Sequence, residues 1–302
     1  SMEMLGVPPE EFAEPRWDLV HPEDREMVAR ELRQLGERGG SARVVYRARH
    51  RNGHWIWIEV LARRVDSPTP GGAPEIVYSG RDVTSRMMAE EALAASEAIM
   101  AGETNAAFVP IAGLHHARRN TAGGFCIFND AGIVIERLQK KHQLKRIAYI
   151  DIDAHHGDGV YYEFEENPHI IFADMHQQYI YPGTGDTDET GRGEAAGTKL
   201  NIPMRAGSDD RDFERAWADV LRHVSAAKPE FIILQCGADS IAGDPLTGME
   251  YSPASFLRAG KDLAALAQKY AHGRLLALGG GGYNLTNIGL GWNNVVEGIV
   301  GS

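Results

Sequence analysis

The spacing of apolar positions changes character near residue 100. Before it, Val28, Leu32 and Leu35 recur at helical spacing in a stretch that opens at Pro22-Glu23-Asp24 and runs to about Glu37. Gly39-Gly40 closes that helix. Residues 41–50 read as a strand. Asn52-Gly53 signals a type I′ hairpin turn, and His54–Arg64, rich in Trp and Ile, is the returning strand. The run Ser67–Pro74 reads as a loop and Glu75–Gly80 as a third strand. A polar, Ala- and Glu-rich helix follows from about Ser85 to Met100, with Asp82 or Thr84 as its cap. Its apolar residues Met87, Leu93 and Ile99 are too scattered for a coiled-coil seam, so it reads as a linker.

From Ala106 the pattern becomes alternating strand and helix. Strands are predicted at Ala107–Pro110, Arg146–Asp153, His169–Met175, Lys199–Pro203, Glu230–Cys236 and Arg274–Leu278. Helices are predicted at Asn129–Lys141, Arg211–Ala227 and Pro253–Tyr270, with a last one after Tyr283. Such alternation predicts an α/β fold, a parallel sheet with helices on both faces, preceded by a small α+β segment. The expected division is 1–84 for the α+β segment, 85–100 for the helical linker and 101–302 for the α/β domain.

Composition narrows the functional classes. Of 302 residues, 43% are hydrophobic and 24% charged, which excludes a disordered chain, a collagen and a small disulfide scaffold. Apolar runs such as Arg146–Ile152 fall far short of the ~20 residues of a membrane helix. The net charge of −11 argues against nucleic-acid binding through phosphate neutralisation. Two cysteines, Cys126 and Cys236, make no framework of bridges and read as buried small hydrophobes; a reducing cytoplasm is the expected location. Ser1–Arg16 is acidic and contains proline, unlike a secretory signal.

The unusual residues gather at predicted strand ends, where ligands bind in parallel sheets. The strand Ile147–Ile152 runs into Asp151-Ile152-Asp153-Ala154-His155-His156-Gly157-Asp158. Residues two apart in a strand face one side, so Asp153 and His155 point at one ion with Asp151 a step behind. Asp239, after the strand Phe231–Leu234, offers a third ligand. Two carboxylates and an imidazole leave one position open for water, as a catalytic zinc requires. One of the tandem histidines His115 and His116 suits a general base, with Asp151 and Asp158 available to orient them. Gly279-Gly280-Gly281-Gly282 places the Tyr283 hydroxyl at the same rim, where it can donate to an oxyanion. Tyr179 and Tyr181 precede a further glycine turn, Pro182–Asp186.

These motifs, in order, resemble the histone deacetylase family of zinc-dependent acetyl-amide hydrolases, nearest to class I and acetoin-utilisation-type members. The resemblance runs from about Ala95 through Gly113–Ala117, Gly124-Phe125-Cys126, Asn129-Asp130, Asp151–Val160, Tyr181–Asp186, Gln235–Pro245 and Gly279–Asn284. It implies an arginase/deacetylase-like sheet lacking the family's N-terminal part. It further implies that Asp153, His155 and Asp239 bind Zn2+. His116, paired with Asp158, would be the main acid/base, and His115, paired with Asp151, its electrostatic partner. Tyr283 would polarise the acetyl carbonyl, and Gly124, Phe125 and Tyr181 would line the acyl channel. A structural K+ is implied near Asp151, Asp153, His155, Asp174 and Met175, and a second monovalent site near Phe164, Asn167 and Ile170. The substrate class is an acetylated amine, on protein lysine or a small molecule.

Residues 3–95 resemble the later part of a PAS sensory domain, on Pro8–Phe12, Trp17, Val20–Asp24, Arg51–Trp55 and Arg81–Thr84. That implies ligand sensing or a homodimer through this segment. Two other readings compete with the deacetylase. One is an arginase-like two-manganese hydrolase, which needs aspartates where Gly157 and Ile241 stand. The other is a non-catalytic PAS-type sensor with a remnant metal site.

Overall fold

The computed structural model describes residues 5–7, 16–67 and 74–301, in two compact units, Ser1–Met87 and Met88–Ser302. In the first unit, helix α1 (Arg25–Arg38) precedes the antiparallel strands β1 (Ser41–Arg49), β2 (Trp55–Val65) and β3 (Glu75–Asp82), in the order β1-β2-β3. Register pairs Ala48 with Ile56 and Ala62 with Tyr78. One sheet face buries Ala48, Ile56 and Ile58 with Leu5 and Val7. Val28 of α1 packs on Val20 and Val44.

The β1–β2 connection differs from the predicted type I′ turn. That turn needs positive φ at both central residues, but here only Gly53 has it, at φ 93°. His50 N donates to His54 O and Gly53 N to His50 O, both at 2.8 Å. The loop is a three-residue connection with glycine in the left-handed position. The cue Pro8–Phe12 and residues 68–73 of the predicted loop lie outside the described residues.

Helix α2 (Thr84–Ala101) occupies the stretch expected as a linker, and Asp82 Oδ1 accepts from Thr84 N at 2.8 Å at its start. Its later residues belong to the second unit, where Ala92 and Ile99 are buried in the core. Glu97 receives Arg137 Nε at 2.6 Å.

The second unit is a six-stranded, fully parallel sheet. Its strands are β4 (Ala106–Val109), β5 (Ile147–Asp151), β6 (Ile170–Gln177), β7 (Lys199–Met204), β8 (Phe231–Gln235) and β9 (Leu275–Leu278). They lie in the order β4-β9-β8-β5-β6-β7. Alternate side chains separate into two cores, as the period of two demands. Ala148, Ile150, Ala173, Ile232, Leu234 and Ala277 meet α5 (Asp210–Ala227), α6 (Pro253–Tyr270) and α7 (Leu285–Val300) through Phe213, Trp217, Phe256, Leu263 and Val295. Ile147, Tyr149, Phe172, Phe231, Ile233 and Leu276 meet α2, α3 (Asp130–His142) and α4 (Asp158–Phe164) through Ile99, Val134, Ile135, Leu138 and Val160. Each buried Val, Leu, Ile or Phe among these is worth about 1.5–3 kcal/mol of burial, so the sheet is a rigid base. Register puts Asp151 beside both Asp174 and Gln235, and Gln235 beside Leu278, so the carboxyl ends of four strands form one ledge. No helix of the described residues is long and apolar enough to cross a membrane.

Candidate active site

Asp153 and His155 lie in the loop leaving β5, and Asp239 in the short turn Ala238–Ser240 after β8. Their ligand atoms all lie within 4.8 Å of one another. His155 Nδ1 is 2.9 Å from Asp239 Oδ2 and 3.2 Å from Asp153 Oδ1. The outer oxygens are already held: Asp153 Oδ2 accepts from Gln235 Nε2 and Gly281 N, both at 2.9 Å. Asp239 Oδ1 accepts from Ala154 N at 2.8 Å. A Cβ on Gly237 would overlap Asp153 Oδ2, so only glycine lets the backbone wrap this carboxylate.

This donor set fits a divalent ion. Asp153 and Asp239 are 1% and 0% exposed, and among the described residues no Lys or Arg pairs with either. Buried carboxylates without a cation are costly. The imidazole of His155 registers that demand: burial opposes its charge, yet the bonds to Asp153 and Asp239 push its pKa up to about 10. Two carboxylates and an imidazole, mutually adjacent, are the ligand chemistry of a three-ligand zinc-type site. No other group of three such ligands occurs among the described residues.

Beside this cluster the tandem histidines form two pairs. His115 Nδ1 lies 2.8 Å from Asp151 Oδ2, and His116 Nδ1 lies 2.8 Å from Asp158 Oδ1. The two Nε2 atoms approach to 3.1 Å. Burial disfavours charge on His115, but Asp151 and Asp153 outweigh it and raise its pKa well above the usual value. Burial and the neighbouring His115 lower that of His116, against the pull of Asp158. A cationic His115 donating from Nε2 leaves His116 neutral, protonated at Nδ1 toward Asp158. Arg118 Nη2 steadies the far oxygen of Asp158 at 3.2 Å.

A cavity of about 160 Å³ joins the two groups, lined by His115, His116, Asp153, His155, Asp239 and Tyr283, with Gly124, Phe125 and Cys126 at its wall. Burial and the carboxylates of Asp239 and Asp153 push the Tyr283 hydroxyl up to about 12, so it stays a donor. Tyr283 N is anchored on Asp244 Oδ2 at 2.8 Å. Phe125 is 89% exposed at positive φ, 63°. A Cβ on Gly124 would strike the His116 ring. Tyr181 is not part of the lining; its ring meets His116 edge-on with centroids 5.0 Å apart. Both cysteines are buried, and burial raises their pKa values.

Of the residues implied for potassium, Asp151 ends β5 and is in register with Asp174 of β6, while Asp153 and His155 lie in the loop beyond β5. Asp174 Oδ2 accepts from Gly157 N and Oδ1 pairs with His176 Nδ1, both at 2.8 Å, and Met175 is buried beside them. Where the second monovalent site was expected, the carbonyl oxygens of Asn167 and Ile170 instead receive the ammonium of Lys199.

Three further residues shape the site without having drawn notice in the sequence as actors. Gln235 ties Asp153 to the histidine loop, since its Nε2 also donates to Gly113 O at 3.1 Å. Asp130, fully buried and raised by burial to about 6, accepts from Gly113 N at 3.0 Å and Leu114 N at 3.2 Å. Tyr149 donates to Asp151 Oδ2 at 2.6 Å. Gln235 and Asp130 lie inside the motifs, so their positions were visible; the tertiary bonds were not.

The fold is that of the arginase/deacetylase-like α/β class. A family model described as the histone deacetylase domain matches residues 43–299, beginning ahead of Ala95, and one described as PAS fold matches residues 1–71. The chain is 36% identical over 215 residues to the acetoin utilization protein AcuC of Bacillus subtilis, covering 70% of this chain and 55% of that one. It is 37% identical over 212 residues to histone deacetylase 8 of Xenopus tropicalis, covering 69% and 56%. It is 30% identical over 299 residues to a probable deacetylase of Archaeoglobus fulgidus, covering 93% and 83%. The chain therefore belongs to the histone deacetylase family, and it spans little more than half the length of the first two relatives.

Proposed function

We propose that the second unit hydrolyses an acetyl-amide, releasing acetate from an acetylated amine borne by a protein lysine or a small molecule. The observation that carries this reading is the opening of the Asp153–His155–Asp239 cluster, the two Asp-held histidines His115 and His116, and Tyr283 on one cavity. A zinc ion at that cluster would supply Lewis acidity, acidifying a water and polarising the amide carbonyl. His116, neutral and fixed at Nδ1 by Asp158, takes the proton of the attacking water at Nε2 once water displaces the His115 N–H from that lone pair, and returns it to the leaving amine. Cationic His115, held by Asp151, stabilises negative charge developing beside it. Tyr283 donates its hydroxyl to the tetrahedral oxyanion. Gly124 and Phe125 form the wall along which the acyl chain enters, with Tyr181 bracing His116. Potassium at the ends of β5 and β6 would fix the ledge that carries these groups.

We assign residues 1–84, within the first unit, a PAS-type sensory or dimerising role, with 85–100 leading from them into the domain 101–302. One Asp-His-Asp cluster among the described residues favours one metal over an arginase-like pair, since Gly157 and Ile241 offer no second set of ligands. Turnover of a fluorogenic acetyl-lysine peptide by the zinc-loaded chain, abolished by chelation and restored by zinc, tests the reading. A zinc-loaded chain inert toward acetyl-lysine, acetyl-polyamine and simple acetamides alike contradicts it.

A further inference from the structure

Lys199 is the first residue of β7, the edge strand of the sheet, yet it is 2% exposed. Lysine is among the residues most rarely buried without a partner. Its Nζ donates to Ile170 O at 2.7 Å, to Asn167 O at 3.0 Å and to Thr198 Oγ1 at 2.7 Å. These three bonds exhaust the donors of an ammonium. All three acceptors are neutral oxygens, and no Asp or Glu forms an ion pair with Lys199 among the described residues. The side chain of the neighbouring α5 that bonds this strand start is His223, whose Nε2 lies 3.2 Å from Thr198 O. Burial with no anion nearby draws the lysine's pKa down to about 8, which leaves it mainly charged at neutral pH.

One positive charge ringed by carbonyl and hydroxyl oxygens is the environment that replaces the hydration shell of a monovalent ion. The ring has a mechanical position. Asn167 N bonds Phe164 O, the last residue of α4, and Ile170 is the first residue of β6. The ammonium thus ties the carboxyl end of α4, where exposed carbonyls favour a cation, to the start of β6 and to β7. The opposite end of α4 is Asp158, which holds His116.

We propose that Lys199 is a cation site made part of the chain. Its ammonium takes the place of a free monovalent ion in locking the turn between α4 and β6 onto β7. Cutting the side chain back converts the same oxygens into a binding site for free potassium or ammonium. The inference stands on this geometry alone and does not depend on the acetyl-amide reading.

The test compares the full chain with Lys199→Ala and Lys199→Met by thermal unfolding in potassium, ammonium or choline chloride at equal ionic strength. In choline both variants should unfold roughly 5–10 °C below the parent. Potassium or ammonium should restore much of that loss in Lys199→Ala, which leaves room for an ion, and beyond any effect on the parent. Neither should restore Lys199→Met, whose uncharged stem fills the space. A Lys199→Met chain as stable as the parent, or a Lys199→Ala chain no more responsive to potassium and ammonium than the parent, overturns the proposal. Should the variants not fold, crystals of the parent soaked in rubidium chloride decide. No anomalous peak beside Asn167 O and Ile170 O is expected. A rubidium ion there with the lysine displaced overturns the proposal.

Discussion

The two sheets bury acids in opposite ways. In the antiparallel sheet Glu59 is 3% exposed because three arginines cover it: Arg43, Arg81 with Nε at 2.6 Å, and Arg86 at 3.2 Å. The Arg43 bond, against some desolvation, holds its carboxyl below the ordinary range. At the ledge of the parallel sheet, Asp153 and Asp239 are equally buried, but a single imidazole joins them and, among the described residues, no guanidinium or ammonium does. The first arrangement is complete as it stands. The second has one more negative charge than its own side chains neutralise. A buried acid matched by permanent cations belongs to the scaffold; one matched only by histidine marks where chemistry and an external cation belong.

Replacing a carboxylate in each region is the strongest way to break this contrast. Asp239→Ala should abolish both metal retention and turnover. Glu59→Gln should leave turnover of the second unit unchanged and lower the unfolding temperature of the first, seen by calorimetry. A Glu59→Gln chain that loses activity like Asp239→Ala would end the distinction. Next in size, His116→Ala should reduce turnover by roughly 10²–10⁴-fold while metal analysis stays at the parent value. Tyr283→Phe should cost about 10²–10³-fold in kcat with little change in stability, because only a hydroxyl is removed from a residue that lines the cavity.

The smallest effect concerns an acid of the Glu59 kind. Glu97 on α2 is bonded by Lys141 and Arg137 of α3, which lower its pKa to about 2. A depressed carboxylate stabilises the fold above its unfolded pKa, near 4.5, and loses that contribution as pH falls through its folded value. Solvent screening limits the gain to about 0.5–1 kcal/mol. Glu97→Gln should therefore lower stability by that amount at pH 7 and by progressively less from pH 4.5 toward 2, in urea unfolding at each pH.

Legibility followed the same division. The parallel strands were visible as continuous apolar runs because both faces are buried: Ile147–Asp151 and Phe231–Gln235 have no exposed residue. The donor residues were visible because Asp, His and Gly at strand ends have no packing reason to be there. Helix α4 escaped notice: it has seven residues, begins on Asp158 within the site motif and contains Gly159, so it shows too few turns for a periodic signal. Asn52-Gly53 signalled a turn correctly but not its type, since the residues do not determine which of them takes positive φ. Lys199 was unreadable: a lysine at a strand start looks like a solvated end, and only tertiary contact shows carbonyls closing around it.

The central claim is that Asp153, His155 and Asp239 form a site for one divalent cation that the chain does not itself supply. Elemental analysis of the full chain, purified and dialysed against zinc, measures it directly beside Asp239→Ala in the same buffer. The account predicts one zinc per parent chain and none retained by the variant, with the variant still folded by circular dichroism. Two tightly held ions per parent chain, or one retained by a folded Asp239→Ala chain, would contradict it.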